Sequence, residues 1–187
     1  MTSPQSLSRR GFLAAAATGA AAAWLAAHAH ELEAMASLGA PSGQWLVLTA
    51  DQAALLDAVT AQLIPSDDTP GAREAKVVRF IDRAFASVFK DDAKEFAGLL
   101  ERLNATMAKT VPGATDFTAL SDAQQVAVLK AFEQEHPDDF GGLRGVTILG
   151  MMSNPSYGGN DGKAGWRMIG FEDRYVWTPP FGWYDRG

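Results

Sequence analysis

Apolar residues recur at three- and four-residue steps through most of the chain, and no stretch sustains the alternating pattern of a strand. About five helices are predicted. The first opens at Thr49-Ala50-Asp51-Gln52, a capping box in which the threonine oxygen accepts from the free amides of the first turn and the glutamine returns the contact. Leu56, Val59 and Leu63 share one face of it, and Pro65 ends it. The second is placed after Thr69-Pro70, an N-cap followed by proline at the first helical position, where a missing amide hydrogen is harmless. Val77, Phe80, Ile81, Ala84, Phe85 and Val88 give this helix the clearest amphipathic stripe in the chain. Phe96, Leu99, Leu100, Leu103 and Met107 mark the third, which stops near Pro112-Gly113. A second capping box, Ser121-Asp122-Ala123-Gln124, starts the fourth, with Val128, Leu129 and Phe132 behind it. The fifth runs from about Phe140 to Met152. Its Leu143, Val146, Ile148, Leu149, Met151 and Met152 point all round the axis, which predicts a place in the middle of the bundle. Its methionines read as core fillers rather than metal ligands.

The fold class is therefore all-α, with a helical domain over 49–153. From Asn154 to Gly187 the pattern changes: this tail holds seven glycines and eight aromatic residues. It is too aromatic for a disordered linker and too rich in glycine and proline for another helix, so an ordered irregular strap is expected, packed on the domain and on a partner. Tyr157, Gly158, Gly159, Asn160, Trp166, Trp177, Phe181, Trp183 and Tyr184 are the candidate partner-interface residues, since Tyr and Trp bring large rigid contact area with a polar tip. The glycines of "YGGNDGKAG" do not make a phosphate loop, because the G-x-x-x-x-G-K-[ST] order and a preceding strand are both missing.

At the other end, Ser8-Arg9-Arg10-Gly11-Phe12-Leu13 begins a segment built like an export signal. It has a basic start without acids, an uncharged run from Gly11 to Ala29, and small-x-small triads at Ala27-His28-Ala29 and Ala34-Met35-Ala36. Paired arginines followed by Phe12 and Leu13 point to the twin-arginine route, with Ser8, Arg9, Arg10, Phe12 and Leu13 as its signal residues. The run is long enough to span a bilayer, but alanine and glycine dominate it, so cleavage is favoured over anchoring. Residues 1–29 are read as signal peptide, cut after the first triad, and residues 30–48 as linker.

Composition narrows the function further. The net charge is −6, and loss of Arg9 and Arg10 with the signal makes the remainder more acidic, so a nucleic-acid footprint is absent. No cysteine is present, which removes iron–sulfur clusters, haem attachment through C-x-x-C-H and thiol nucleophiles together. His28 and His30 flank the cleavage point, and His136 reads as a residue where a helix stops before Pro137. Asp67 and Asp68 precede a helix start, where the helix dipole accounts for acids. No catalytic, cofactor-binding or metal-ligating residue is assigned.

Two blocks then carry a resemblance. "LTADQAALLDAVTAQLIPSDDTPGAREAKVVRFIDRAF" (Leu48–Phe85) and "SNPSYGGNDGKAGWRMIGF" (Ser153–Phe171) closely resemble the small subunit, also called subunit 3 or gamma, of bacterial membrane-bound gluconate 2-dehydrogenase. The resemblance implies a three-part periplasmic complex associated with the cytoplasmic membrane. An FAD-dependent large subunit of the glucose-methanol-choline type oxidises a sugar or sugar acid, and a multihaem cytochrome c subunit holding haem c passes the electrons on. The small subunit carries neither group, accompanies the flavoprotein through the twin-arginine translocase and stabilises it. The second block departs from the family's pattern at Asn154, where an acidic residue is expected. Gluconate is only a label here, because similar subunits travel with flavoproteins for several polyols. The competing readings are a free periplasmic chaperone, or an enzyme built from Tyr157, Asp161, Lys163 and Arg167 in the glycine-rich loop.

Overall fold

A computed structural model describes residues 27–38, 44–174 and 176. Among these residues there are seven α-helices and no strand: α1 (Ala29–Ser37), α2 (Ala50–Leu63), α3 (Val77–Ala86), α4 (Ala93–Thr110), α5 (Asp122–Glu135), α6 (Pro137–Met152) and α7 (Ala164–Met168). The all-α class is as the hydrophobic pattern predicts, and α2 to α6 are the five helices read from it. Two more are added. α1 occupies part of the stretch read as linker, where only Met35 is buried and no amphipathic stripe announces a helix. α7 and two single 3-10 turns, Pro155–Tyr157 and Asp161–Lys163, give the strap local regularity.

Both capping boxes form as expected. The Thr49 hydroxyl accepts from the Gln52 amide at 3.1 Å and the Thr49 amide donates back to Gln52 Oε1 at 2.9 Å; Ser121 and Gln124 repeat the exchange at α5. The expected helix start at Pro70 does not form. Instead Gly71 packs so closely on the end of α2 that a Cβ there would stand 2.5 Å from the Ile64 carbonyl oxygen. The chain then makes one helical turn closed by a Schellman motif, in which the Val77 amide donates to Ala72 O and the Lys76 amide to Arg73 O. Lys76 takes the left-handed conformation, φ 55°, that this cap requires. α3 starts only afterwards, at Val77.

The sequence places the fifth helix at the centre of the bundle, but α3 holds that position. Eight of its ten residues are buried, Asp82 and Arg83 among them, whereas α6 leaves Ile148 and Leu149 exposed. The reason lies in what covers the polar side of α3. The Asp82 carboxylate accepts from the amides of Leu46, Val47 and Leu48 at 2.9–3.1 Å, binding the segment before α2. Arg79 reinforces that segment, with its guanidinium 3.7 Å over the Trp45 ring and donating to Gln44 O. Arg83 donates to Ser156 O at 3.0 Å, binding the strap. α2 and α6 pack on α3, and α4 and α5 pack on each other to complete the bundle. Leu56, Ile81, Leu103, Val128, Phe132, Leu143 and Met151 fill the interior. Phe85 stacks on Phe96 with ring centroids 4.1 Å apart.

α4 and the start of α6 are joined by a two-pronged ion pair, Arg102 Nε to Asp139 Oδ2 at 2.6 Å and Nη2 to Oδ1 at 2.8 Å. Hydrogen bonding from Arg102 holds the Asp139 carboxyl below the ordinary aspartate range, and His136 beside it acts in the same direction. His136 itself closes α5 before Pro137 opens α6, as the sequence predicts.

Two measurements test these contacts. Asp82→Ala leaves three backbone amides without their charged acceptor and is expected to lower stability by about 2 kcal/mol in urea unfolding. Leu46→Ala, on the same segment but exposed, should change it by no more than about 0.5 kcal/mol. Because the Asp139 carboxyl is lowered in the folded state, its contribution is complete above the ordinary aspartate range and lost as pH falls through the lowered value. Arg102→Met should therefore make stability fall less steeply between about pH 5 and about pH 2, with only a small loss at neutral pH because solvent screens this partly exposed pair.

Candidate functional site

The strap is positioned by the unfinished end of α6. The last carbonyls of a helix have no partner within it, and here side chains of the glycine-rich block supply several. Trp166 Nε1 donates to Met152 O at 2.8 Å, Asn160 Nδ2 donates to Ser153 O at 2.8 Å, and the Ser153 hydroxyl donates to Gly150 O. Asn160 is fully buried in the left-handed conformation, φ 49°, and its Oδ1 accepts from the Gly165 amide at 2.8 Å. Asparagine tolerates that conformation better than most residues, and here its amide group joins the loop's two ends.

Glycine is required where the loop touches the helix. A Cβ at Gly159 would overlap the Gly150 carbonyl oxygen, and one at Gly165 would overlap the Met151 carbonyl oxygen. The loop is thus folded on its own helix rather than open as an anion cradle. Asn154 Oδ1 accepts from the Ser156 amide at 3.0 Å and caps the turn Pro155–Tyr157. On the far side the Asp161 amide donates to Ala75 O and its carboxylate pairs with Lys76 at 2.9 Å, which docks the loop on the Schellman turn.

Of the candidate interface residues, Gly159 and Asn160 are buried inside the chain, and Tyr157, Gly158 and Trp166 are half-buried. Trp166 meets Phe171 edge-on at 5.3 Å. Trp177, Phe181, Trp183 and Tyr184 lie outside the described residues, as do the signal residues Ser8, Arg9, Arg10, Phe12 and Leu13. Asp82 and Arg83 were not singled out in the sequence, because a charged pair inside an amphipathic stripe reads as its solvated side.

Of the four residues of the enzyme reading, Asp161 and Lys163 are held in separate ion pairs. Asp161 pairs with Lys76, and Lys163 pairs with Asp173 at 2.9 Å, all half-exposed. A cleft of about 480 Å³ lies between α2, α4 and the turn at Phe117, lined by Asp51, Glu101 and Asp116 but by none of those four. Among the described residues no group of three or more His, Asp or Glu side chains is placed to hold a metal ion.

An apolar surface does remain open beside the capped helix end. Ile148 and Leu149 on α6 are 47% and 51% exposed, and Ile169 and Phe171 after α7 are 61% and 45% exposed, with Met168 close behind. Ile148 and Leu149 precede Met152 by four and three residues and share its face. The Met152 sulfur lies against Gly165 of α7, so this face is the one the strap approaches. The helical period signalled these residues, but as core.

The fold and this surface define a strap-capped helical module with an open apolar face. The chain belongs to the gluconate 2-dehydrogenase subunit 3 family, whose model matches residues 50–173, from the first residue of α2 to just beyond the strap's docked block. Neither a curated relative nor a solved structure matches it.

Gly159→Ala forces the loop off Gly150 and is expected to lower stability by about 3 kcal/mol, near the upper end for overpacking. Asn160→Ala, which loses two buried hydrogen bonds in a left-handed position, should lower it by about 2 kcal/mol. Thermal unfolding followed by circular dichroism reads both, with Gly162→Ala, at a loop position without a close packing neighbour, affected through its positive φ alone.

Proposed function

We propose that this chain is the non-catalytic small subunit of a periplasmic flavoprotein dehydrogenase complex, carrying the FAD-binding large subunit through twin-arginine export and stabilising it. Membership of the gluconate 2-dehydrogenase subunit 3 family over residues 50–173 carries this reading. The exposure of Ile148 and Leu149 on α6 and of Ile169 and Phe171 after α7 supports it, since large apolar groups at the surface of a small domain are available as contact groups for a partner. In this reading FAD belongs to a large subunit of the glucose-methanol-choline type and haem c to a cytochrome subunit. The complex associates with the cytoplasmic membrane. Among the described residues of this chain no helix is long and apolar enough to cross a bilayer. The substrate is a sugar or sugar acid, selected in the large subunit.

The test is recovery of the tagged chain from its own bacterium, with a visible spectrum and the masses of what accompanies it. A flavin band with a large partner is expected, and a haem protein with it. A colourless chain recovered alone overturns the reading and favours a chaperone that leaves its client. Ile148→Asp with Leu149→Asp should reduce co-purified flavin at least tenfold, about 1.4 kcal/mol of association, while the melting temperature of the isolated chain stays within a few degrees. Trp183→Ala with Tyr184→Ala tests the terminal aromatics by the same retention.

A further inference from the structure

Three glycines, Gly141, Gly142 and Gly145, stand in the first half of α6. A Cβ at Gly150, Gly159 or Gly165 would crowd the chain's own atoms, but at these three it would meet nothing. Their φ values are not positive, so neither the backbone nor a neighbour among the described residues calls for glycine, and alanine would make the better helix. Gly142 lines a groove of about 230 Å³ between the starts of α4 and α6. We propose that this groove receives a segment of the flavoprotein large subunit in which lysine or arginine flanks a large apolar side chain. This rests on the complex reading above, and gives the place and the chemistry of the contact.

The groove has an apolar floor and an acidic rim. Phe85, Phe96 and Val146 are buried beneath it, while Asp92, Glu95 and Asp138 stand exposed around it. The dipoles of α4 and α6 favour acids in these first turns but supply no full counter-charge. Arg102 is committed to Asp139, no basic side chain lines the groove, and the Asp92 and Asp138 carboxylates have no hydrogen-bond or ion-pair partner among the described residues.

That combination selects the occupant. The volume is below the roughly 300–1,000 Å³ of small-molecule sites, so a side chain fits it better than a cofactor. An apolar side chain seated in such a groove is removed from water, and carboxylates around the edge attract and orient a segment that brings cations on either side of it. With no side chain at Gly142, the incoming backbone can lie against α6. Gly142, Val146 and Leu149 follow one another at four- and three-residue steps, so the same helix face leads from the groove to Leu149, which is 51% exposed.

The chain has no cysteine, so Gly142→Cys places a single thiol at the groove. Its reaction with a maleimide is timed in the chain expressed alone, in the same chain unfolded in urea, and in the two-chain complex of this subunit with the flavoprotein. Labelling of the lone folded chain near the unfolded rate, and about tenfold slower in the complex, is expected. Equal rates in the lone chain and the complex show a groove left empty, and a lone chain already protected shows a groove covered by the chain's own ends; either overturns the proposal. Asp92→Lys with Asp138→Lys should lower co-purified flavin about tenfold, and unchanged retention overturns the basic chemistry of the occupant. Gly142→Leu fills the groove without meeting a neighbour, so it should lower retention about tenfold while the melting temperature of the isolated chain holds or rises. Glu101→Lys, at the cleft between α2 and α4, should leave retention unchanged; an equal loss there shows that net charge rather than the groove is read, and overturns the proposal. A colourless chain recovered alone overturns the complex reading itself, whereas a flavin band retained through all the groove variants overturns the groove and leaves that reading standing.

Discussion

Two consecutive charges, Asp82 and Arg83, sit buried on the central helix, and the rest of the architecture follows from their need for partners. Neighbouring residues on a helix point about 100° apart, so the pair reaches in two directions. Asp82 takes the backbone amides of the segment before α2, and Arg83 takes a carbonyl of the turn after α6. A buried charge deprived of its partner is strongly destabilising. The helix can therefore occupy the middle of the bundle only when both flanking segments are in place, and those segments lie where they do because the charges hold them.

The two blocks that resemble the family are, in space, largely the two sides of one contact. The first contains the Schellman turn, Lys76 and the Asp82–Arg83 pair; the second contains the side chains that cap the end of α6, Asn160 among them, and the close-packed glycines. Asp161 meeting Lys76 and Ser156 meeting Arg83 join them. The glycine-rich composition, which alone suggested only turns, is explained by carbonyl oxygens of α6 that leave no space for a Cβ.

The helices from α2 to α6 were legible because capping boxes and apolar period are local signals, and both boxes form with the expected partners. The centre of the bundle was not. Leu143, Val146, Ile148 and Leu149 look alike in a periodicity argument, yet the first two are buried and the last two face outward beside the strap. An apolar residue that serves a partner carries the same pattern as one that serves the core. α1 escaped notice because Met35 is its single buried side chain, and one contact makes no period. The start of α3 was misread because Thr69-Pro70 has the chemistry of a helix entry, while the Cβ-free approach of Gly71 to Ile64 diverts the chain. Gly159 and Asn160, named among the interface residues for the composition around them, are buried, Asn160 bonding Ser153 O and the Gly165 amide inside the loop.

The spacing along the chain of the partners of α3 sets an order of events during synthesis. Asp82 finds its amides 34 to 36 residues earlier, but Arg83 finds Ser156 only 73 residues later. A nascent chain that has emerged through α5 holds the amides that Asp82 takes but not yet the Ser156 carbonyl to which Arg83 donates. Long-range closure of this kind is slow relative to local helix formation. The contact between Arg83 and Ser156 is thus among the last to become available, since the strap leaves the ribosome after every helix of the bundle.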